Sequence, residues 1–471
     1  MTRSDQTDTM IRSVVPLPPV GKDKLKWYGP GLLWMLSAVG TGSILFTPRV
    51  ASAYQYDLLW LLLLVVFFMW VMIREMARFS VVTGHSMLEG MHTLKGPRNW
   101  AVWLILLPQL FAATVGIAGL SAIVGSALVS VLPGANWLYS VLVVVICTGF
   151  TASGRYMKIE RLSRIMAVVL MLLTVVAAIV VFSDGQSVMA GLVPGVPENA
   201  DLYIILPWVG TILAGSMGIV WFGYWTASRG YGGGLIEEPR DQARQRSDPD
   251  TFEQRTQRIQ AWLRVMNGAA TLGVLGGLVV IFSFMVLGAE LLAPQGVMPQ
   301  GSDVADDLGR LFSETWGAAG EIMMLAAIII ALGGSILANQ DGWGRSFADM
   351  TMILGRVEPD RAAPDGPAET QAGFFTLSRR TLKRLFIVVV TGVLPVVVVV
   401  VFEDPVQIMS ASGIIAAVHT PFIVLTALFV NHTRLPQALR PGPFYSLAML
   451  VSGLFYLGFA TLYFVQLAGW I

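Results

Sequence analysis

The sequence predicts an all-α polytopic membrane protein, built as an inverted repeat of five plus five helices with an eleventh helix appended. Three observations predict it. First, 55% of the 471 residues are hydrophobic and 13% are charged, where a soluble domain carries about a quarter charged. Second, the apolar runs Leu58–Val71, Val168–Val181 and Ile387–Phe402 are too long for surface helices, and a membrane span needs roughly 20 apolar residues. Third, two apolar segments are interrupted by small residues at matching places. One reads Gly40-Thr41-Gly42-Ser43 inside Gly29–Tyr54, the other Gly215-Ser216-Met217-Gly218 inside Tyr203–Gly230, and an arginine follows each, at Arg49 and Arg229. Backbone leaves the helix in hydrocarbon only where protein or a water-filled cavity satisfies its freed groups. Paired interruptions in corresponding halves point to a transporter binding site at the midplane.

Spans are expected at 30–53, 57–81, 99–132, 136–153, 161–183, 204–229, 262–289, 317–340, 384–402, 406–431 and 443–468. The first and sixth are the interrupted segments. The second begins in the run Leu58–Val71. Leu132-Pro133-Gly134-Ala135-Asn136 parts the third from the fourth, and Asp184-Gly185 closes the fifth. The seventh and eighth flank the acidic stretch 286–316. The ninth is the run Ile387–Phe402, and Pro441-Gly442-Pro443 parts the tenth from the eleventh. Residues 1–28 read as a polar cytosolic tail without the apolar core of a cleavable signal. Residues 29–440 form the ten-helix core and 441–471 the eleventh helix. The stretch Pro359–Gln371 reads as a flexible cytosolic loop.

Charge sets the expected orientation. The stretch 229–264 carries seven arginines, from Arg229 to Arg264, and 341–384 carries another basic set, from Arg345 to Arg384. Arg155, Lys158, Arg161 and Arg164 follow the fourth span, while 184–203 has no Lys or Arg and 286–316 has one, Arg310. Basic loops alternate with neutral or acidic ones, which places the N-terminus in the cytoplasm and the C-terminus outside a cell membrane. The sixth span then crosses opposite to the first, as an inverted repeat needs.

Other classes are excluded or unsupported. No basic stripe supports nucleic-acid binding. The one cysteine, Cys147, sits in an apolar helix and reads as packing. Neither zinc-type Cys/His spacing nor a P-loop occurs. No enzyme and no cofactor are expected. The expected partners are the lipid bilayer and a small ion or small-molecule substrate, and a monomer is the expected state.

Several stretches together resemble the Nramp family of metal-ion transporters. They are Gly29-Pro30-Gly31-Leu32-Leu33, Arg74-Glu75-Met76-Ala77-Arg78 with Val81-Val82-Thr83-Gly84, Lys158-Ile159-Glu160-Arg161-Leu162, Gly191-Leu192-Val193-Pro194 and Thr420-Pro421-Phe422. The resemblance runs in order over about residues 25–440. It implies a LeuT-type fold, alternating access and divalent-cation transport, as in a symporter. The family's ion-binding motifs are replaced here. Its Asp-Pro-Gly-Asn on helix one falls on Gly40, Thr41, Gly42 and Ser43. Its Met-Pro-His on helix six falls on Val220, Trp221 and Phe222 when Tyr224 and Ser228 set the register, with Met217 as a nearby thioether. The third-helix acidic positions fall in Ala113–Gly119, which has no carboxylate, and the tenth-helix glutamine falls near Gly413.

The expected substrate site is therefore Gly40, Thr41, Gly42, Ser43, Ser216, Met217, Gly218 and Val220, with Thr41, Ser43 and Met217 as metal-ligand candidates. Soft ligands select transition metals, and neutral oxygens suit ions that keep their waters, so a low-affinity site is expected. Gly40-Thr41-Gly42-Ser43-Ile44 also resembles the helix-one break of amino acid–polyamine–organocation carriers. That leaves a small amino acid or carboxylate as the alternative substrate, with Trp221, Phe222 and Tyr224 either lining its pocket or packing between helices. A non-transporting receptor is the third reading. Arg49, Thr114, His419, Ser335 and Asn339 are the coupling or gating candidates. Each has a plainer role too: snorkelling for Arg49, interhelical hydrogen bonds for Gln109, Thr114 and Ser121, a satisfied core histidine for His419, and a helix end for Ser335, Asn339 and Asp341.

Overall fold

The computed structural model describes residues 15–38, 42–154, 157–213, 215–233, 252–301, 304–355, 378–402 and 404–469. Gly40, Thr41 and the loop Pro359–Gln371 lie outside them. Eleven spans follow one another as apolar helices. The first comprises α1a (Gly29–Ala38) and α1b (Thr47–Tyr54), with a π-helical turn at Gly42–Phe46 leading into α1b. Next come α2 (Leu59–Thr83), α3 (Trp100–Val129), α4 (Asn136–Ser153) and α5 (Met157–Val181). The sixth span is α6a (Leu202–Thr211) and α6b (Ser216–Arg229). Then follow α7 (Phe252–Leu287), α8 (Trp316–Leu354), α9 (Arg379–Val401), α10 (Pro405–Arg434) and α11 (Pro443–Leu467). Among the described residues nine helices are long and apolar enough to cross a membrane. The separate halves of α1 and the apolar part of α5, Ala167–Val181, are shorter pieces of the remaining two spans.

The first and sixth spans cross head to tail. α1a packs on α6b, while α1b and the turn before it pack on α6a. Trp34 of α1a donates from Nε1 to the Gly218 carbonyl of α6b at 3.1 Å. Glycine lets the backbones meet. A Cβ on Gly42 would stand 2.2 Å from the Thr211 carbonyl oxygen, and one on Gly31 would stand 1.9 Å from that of Ala269 in α7. Small residues at such crossings replace hydrophobic driving force with close packing. α3 and α10 pack along each other beside this pair, and α11 lies outside against α10 and α2.

Two expectations on boundaries need correction. The sixth span opens earlier than Gly215–Gly218: α6a ends at Thr211, and Ser216, Met217 and Gly218 form the first turn of α6b. Gly215 is its extended N-cap, and the reversal falls on Leu213, at φ 63°. The eighth span continues past residue 340 to Leu354. Its Asn339-Gln340-Asp341 segment is mid-helix because the bundle satisfies that polarity. Gln340 donates to Thr148 Oγ1 and the Thr391 carbonyl at 2.8 and 2.7 Å. Asp341 accepts from Arg345 Nε at 2.6 Å and pairs with Lys383 of α9.

Candidate functional site

A small cavity, about 100 Å³, lies where α3, α6, α8 and α10 converge. The break of span six supplies Thr211, Leu213, Gly215, Ser216, Met217 and Gly218 to its wall. Gln109 comes from α3, Asn339 and Trp343 from α8, and Ser412 from α10. Leu213 is fully buried, with its side chain laid over Gly277 of α7, where a Cβ would stand 2.4 Å from it. A left-handed backbone costs a residue with a Cβ about 1–2 kcal/mol, and such strain gathers at ligand sites.

No lining residue carries a formal charge. Its polarity comes from neutral oxygens, amides and the thioethers of Met217 and Met409. Gln109, fully buried, donates from Nε2 to Ser216 Oγ at 2.6 Å and lies 2.7 Å from His419 Nδ1. His419 Nε2 lies 2.9 Å from the Leu104 carbonyl. A carbonyl only accepts, so Nε2 carries the proton; in the neutral ring Nδ1 then accepts from the Gln109 amide. Gln109 Oε1 has no hydrogen-bond partner. Ser43 Oγ, in the π-helical turn that leads into α1b, is likewise buried and unpartnered. The fit to a cation is mixed: Met217 and Met409 offer sulfur and Gln109, Ser216 and Asn339 offer oxygen. No group of three His, Cys, Asp or Glu stands together among the described residues.

The structure sorts the expected site residues. Ser216, Met217, Gly218 and Asn339 line the cavity; Val220 does not. Val220 sits within α6b, which starts at Ser216. Gly42 and Ser43 are buried beside the break of span six, in contact through Thr211 rather than through the cavity wall. Gly40 and Thr41 are outside the described residues. Gly413 serves packing: a Cβ there would meet the Pro207 carbonyl of α6a at 2.6 Å.

The coupling and gating candidates divide likewise. Thr114 bonds the Leu110 and Val390 carbonyls, and Ser335 bonds Ala331 in its own helix. Arg49 reaches away from the cavity, to the Pro299 carbonyl at 2.8 Å, and Ser52 bonds Val297 at 2.6 Å. Both tie α1b to the segment after α7. Nearby, Glu290 accepts from Tyr56 at 2.9 Å and Ser183 at 2.6 Å. Burial and the Glu290 carboxylate push the Tyr56 hydroxyl up, so it stays a donor there. Trp221 lines the cavity, donates to Ser346 Oγ at 3.0 Å and meets Trp343 edge-on at 5.2 Å, whereas Phe222 is fully buried in packing. Sequence reasoning took Gln109 for a helix–helix tie and passed over Ser412. A glutamine deep in an apolar span was the available signal.

Comparison with known proteins gives three findings. The family description "Natural resistance-associated macrophage protein-like" matches residues 31–350. An uncharacterized protein of Pasteurella multocida is 25% identical over 182 residues, 38% of this chain and 40% of that protein, so the match spans less than half of this curated relative. Among solved structures, an Eremococcus coleocola manganese transporter, in complex with an aromatic bis-isothiourea substituted compound, superposes with TM-score 0.68 at 14% identity, over 96% of this chain and 89% of that one. A nucleobase-cation-symport-1 family transporter, in a closed conformation with bromovinylhydantoin bound, superposes with TM-score 0.52 at 13% identity, over 96% and 94%. These likenesses identify the architecture as LeuT-type.

Proposed function

The chain belongs to the Nramp family, and on that premise we propose that it is a secondary transporter carrying a divalent metal cation by alternating access. The cation is held at the paired breaks, by neutral ligands and with low affinity. The observation that carries this reading is a cavity, set at the broken sixth span, that presents oxygen and two thioethers without a carboxylate. The end of a half-helix such as α6a carries negative partial charge, which favours a cation near Thr211. Neutral oxygens do not repay full dehydration of a divalent ion, so the bound ion keeps some of its waters, as Mg²⁺ does readily. The carboxylates that would couple proton movement in the third span are replaced by Ala113–Gly119, so transport runs uncoupled from protons. The basic loops orient the N-terminus to the cytoplasm, and the protein works as a monomer in the cell membrane.

The test is Mn²⁺ and Mg²⁺ influx into proteoliposomes with a trapped metal-sensitive dye. Saturable influx of either ion above empty liposomes is the expected result. No influx of either, with folded protein in the vesicles, would transfer the site to a small amino acid or carboxylate. Trp221 and Trp343 in the cavity wall favour that second reading.

A further inference from the structure

We propose that Gln109 of α3 is a direct ligand of the transported cation, through Oε1, and that His419 of α10 is the positioning residue that aims it. The proposal rests on the cation-transport reading above and adds a ligand from a helix that carries neither break. Gln109 is completely buried, and it lines the cavity. Its amide has two sides. The nitrogen is fully used, donating to Ser216 Oγ and His419 Nδ1 at 2.6 and 2.7 Å. The oxygen has no partner. A buried acceptor left unmade is costly, about 1–3 kcal/mol, and buried polar groups are otherwise nearly always satisfied.

An amide's two ends look alike in shape, so the hydrogen-bond network must assign them. Here it does. The Leu104 carbonyl, 2.9 Å from His419 Nε2, can only accept, so that nitrogen is the donor. In the neutral ring Nδ1 is then the acceptor and must face an N–H. Turning the amide over would set its oxygen against the Nδ1 lone pair. His419 is itself fixed by stacking on Phe422, with ring centroids 5.9 Å apart. The unused Oε1 therefore belongs to whatever enters the cavity, and a bare acceptor there suits a cation or a donor group. Ser216 stands in the same wall as the first residue of α6b, so the hydrogen bond from Gln109 also couples α3 to the break. An amide oxygen is a hard, neutral ligand, which selects a partly hydrated divalent ion over a naked transition metal.

Gln109→Met keeps the side-chain volume and removes the oxygen. Calorimetry with Mn²⁺ on the purified protein should show affinity weakened by about tenfold or more, the loss of one ligand to a charged group. Gln109→Glu supplies a charged oxygen at the same reach and should tighten Mn²⁺ binding. His419→Phe frees the amide to turn, and should raise the influx KM for Mn²⁺ by about fivefold with the maximal rate retained. If Gln109→Met fails to fold, Gln109→Glu decides: unchanged or weaker Mn²⁺ affinity overturns the proposal. Wild-type protein that binds Mn²⁺ no better than folded Gln109→Met also overturns it, while leaving cation transport standing. Wild-type protein that neither binds nor carries Mn²⁺ or Mg²⁺ overturns the transport reading and this ligand with it.

Discussion

The cavity and the buried end of α2 treat polarity in opposite ways. At α2, Glu75 is fully buried and pairs with Arg78, Nε to Oε2, at 2.5 Å. Arg78 also reaches the Leu439 carbonyl at 3.3 Å. Arg74 is sandwiched between the rings of Trp70 and Tyr445, 4.3 and 4.2 Å from their centroids, and donates to Asn267 at 2.8 Å. Asn431 of α10 donates to the Glu75 carbonyl at 2.8 Å. One carboxylate and two guanidiniums there bind α2, α7, α10 and α11 together, with Arg74 Nη1 and Asn431 Oδ1 left without a hydrogen-bond partner. The cavity has no charge, and two of its neighbouring oxygens, on Gln109 and Ser43, are left unmatched. Formal charge ties helices together at the end of α2, whereas the cavity wall holds its polarity in neutral groups.

The largest expected break in that contrast is Glu75→Ala. It strands the buried Arg78 guanidinium and should destabilise the protein by about 3–5 kcal/mol, read as a large fall in the melting temperature of the detergent-solubilised protein. A loss within 1 kcal/mol or so would mean the pair is not structural. Next is Gly42→Val. Its Cβ would stand 2.2 Å from backbone at Thr211, so overpacking of about 1–3 kcal/mol is expected, with influx lost in folded protein because the two breaks are pushed apart. Unchanged influx would separate the breaks from transport. The smallest effect, and the sharpest on chemistry, comes from adding ligands to the neutral region. Gly40→Asp with Ser43→Asn should tighten Mn²⁺ binding by about tenfold, or 1.4 kcal/mol, by calorimetry. Unchanged affinity would place the ion away from the first break.

Much of the architecture was legible because membrane spans announce themselves in composition. The apolar runs, the loop charges and the small residues at 40–43 and 215–218 were enough to predict an inverted five-plus-five bundle with interrupted first and sixth helices, and the family resemblance implied the LeuT type. The register at the second break was not legible. Its reversal falls on Leu213, a residue that sequence rules keep out of positive φ, and the glycines only flank it. The end of α8 was misplaced for a related reason. Gln340 and Asp341 look like a helix end, but Thr148, Thr391 and Lys383, from other helices, take up their polarity. Gln109 and His419 lie 310 residues apart in the chain. Each is readable as a polar residue in an apolar span, and their pairing exists only once α3 and α10 are packed.

The most direct test of a neutral cation site is to locate Mn²⁺ by anomalous scattering in crystals soaked with the ion. A single peak in the cavity, within about 2.5 Å of Gln109 Oε1 and beside Ser216 and Met217, is the predicted result. A peak instead on the carboxylates of Glu75 or Asp341, with the cavity empty at a saturating concentration, would contradict it.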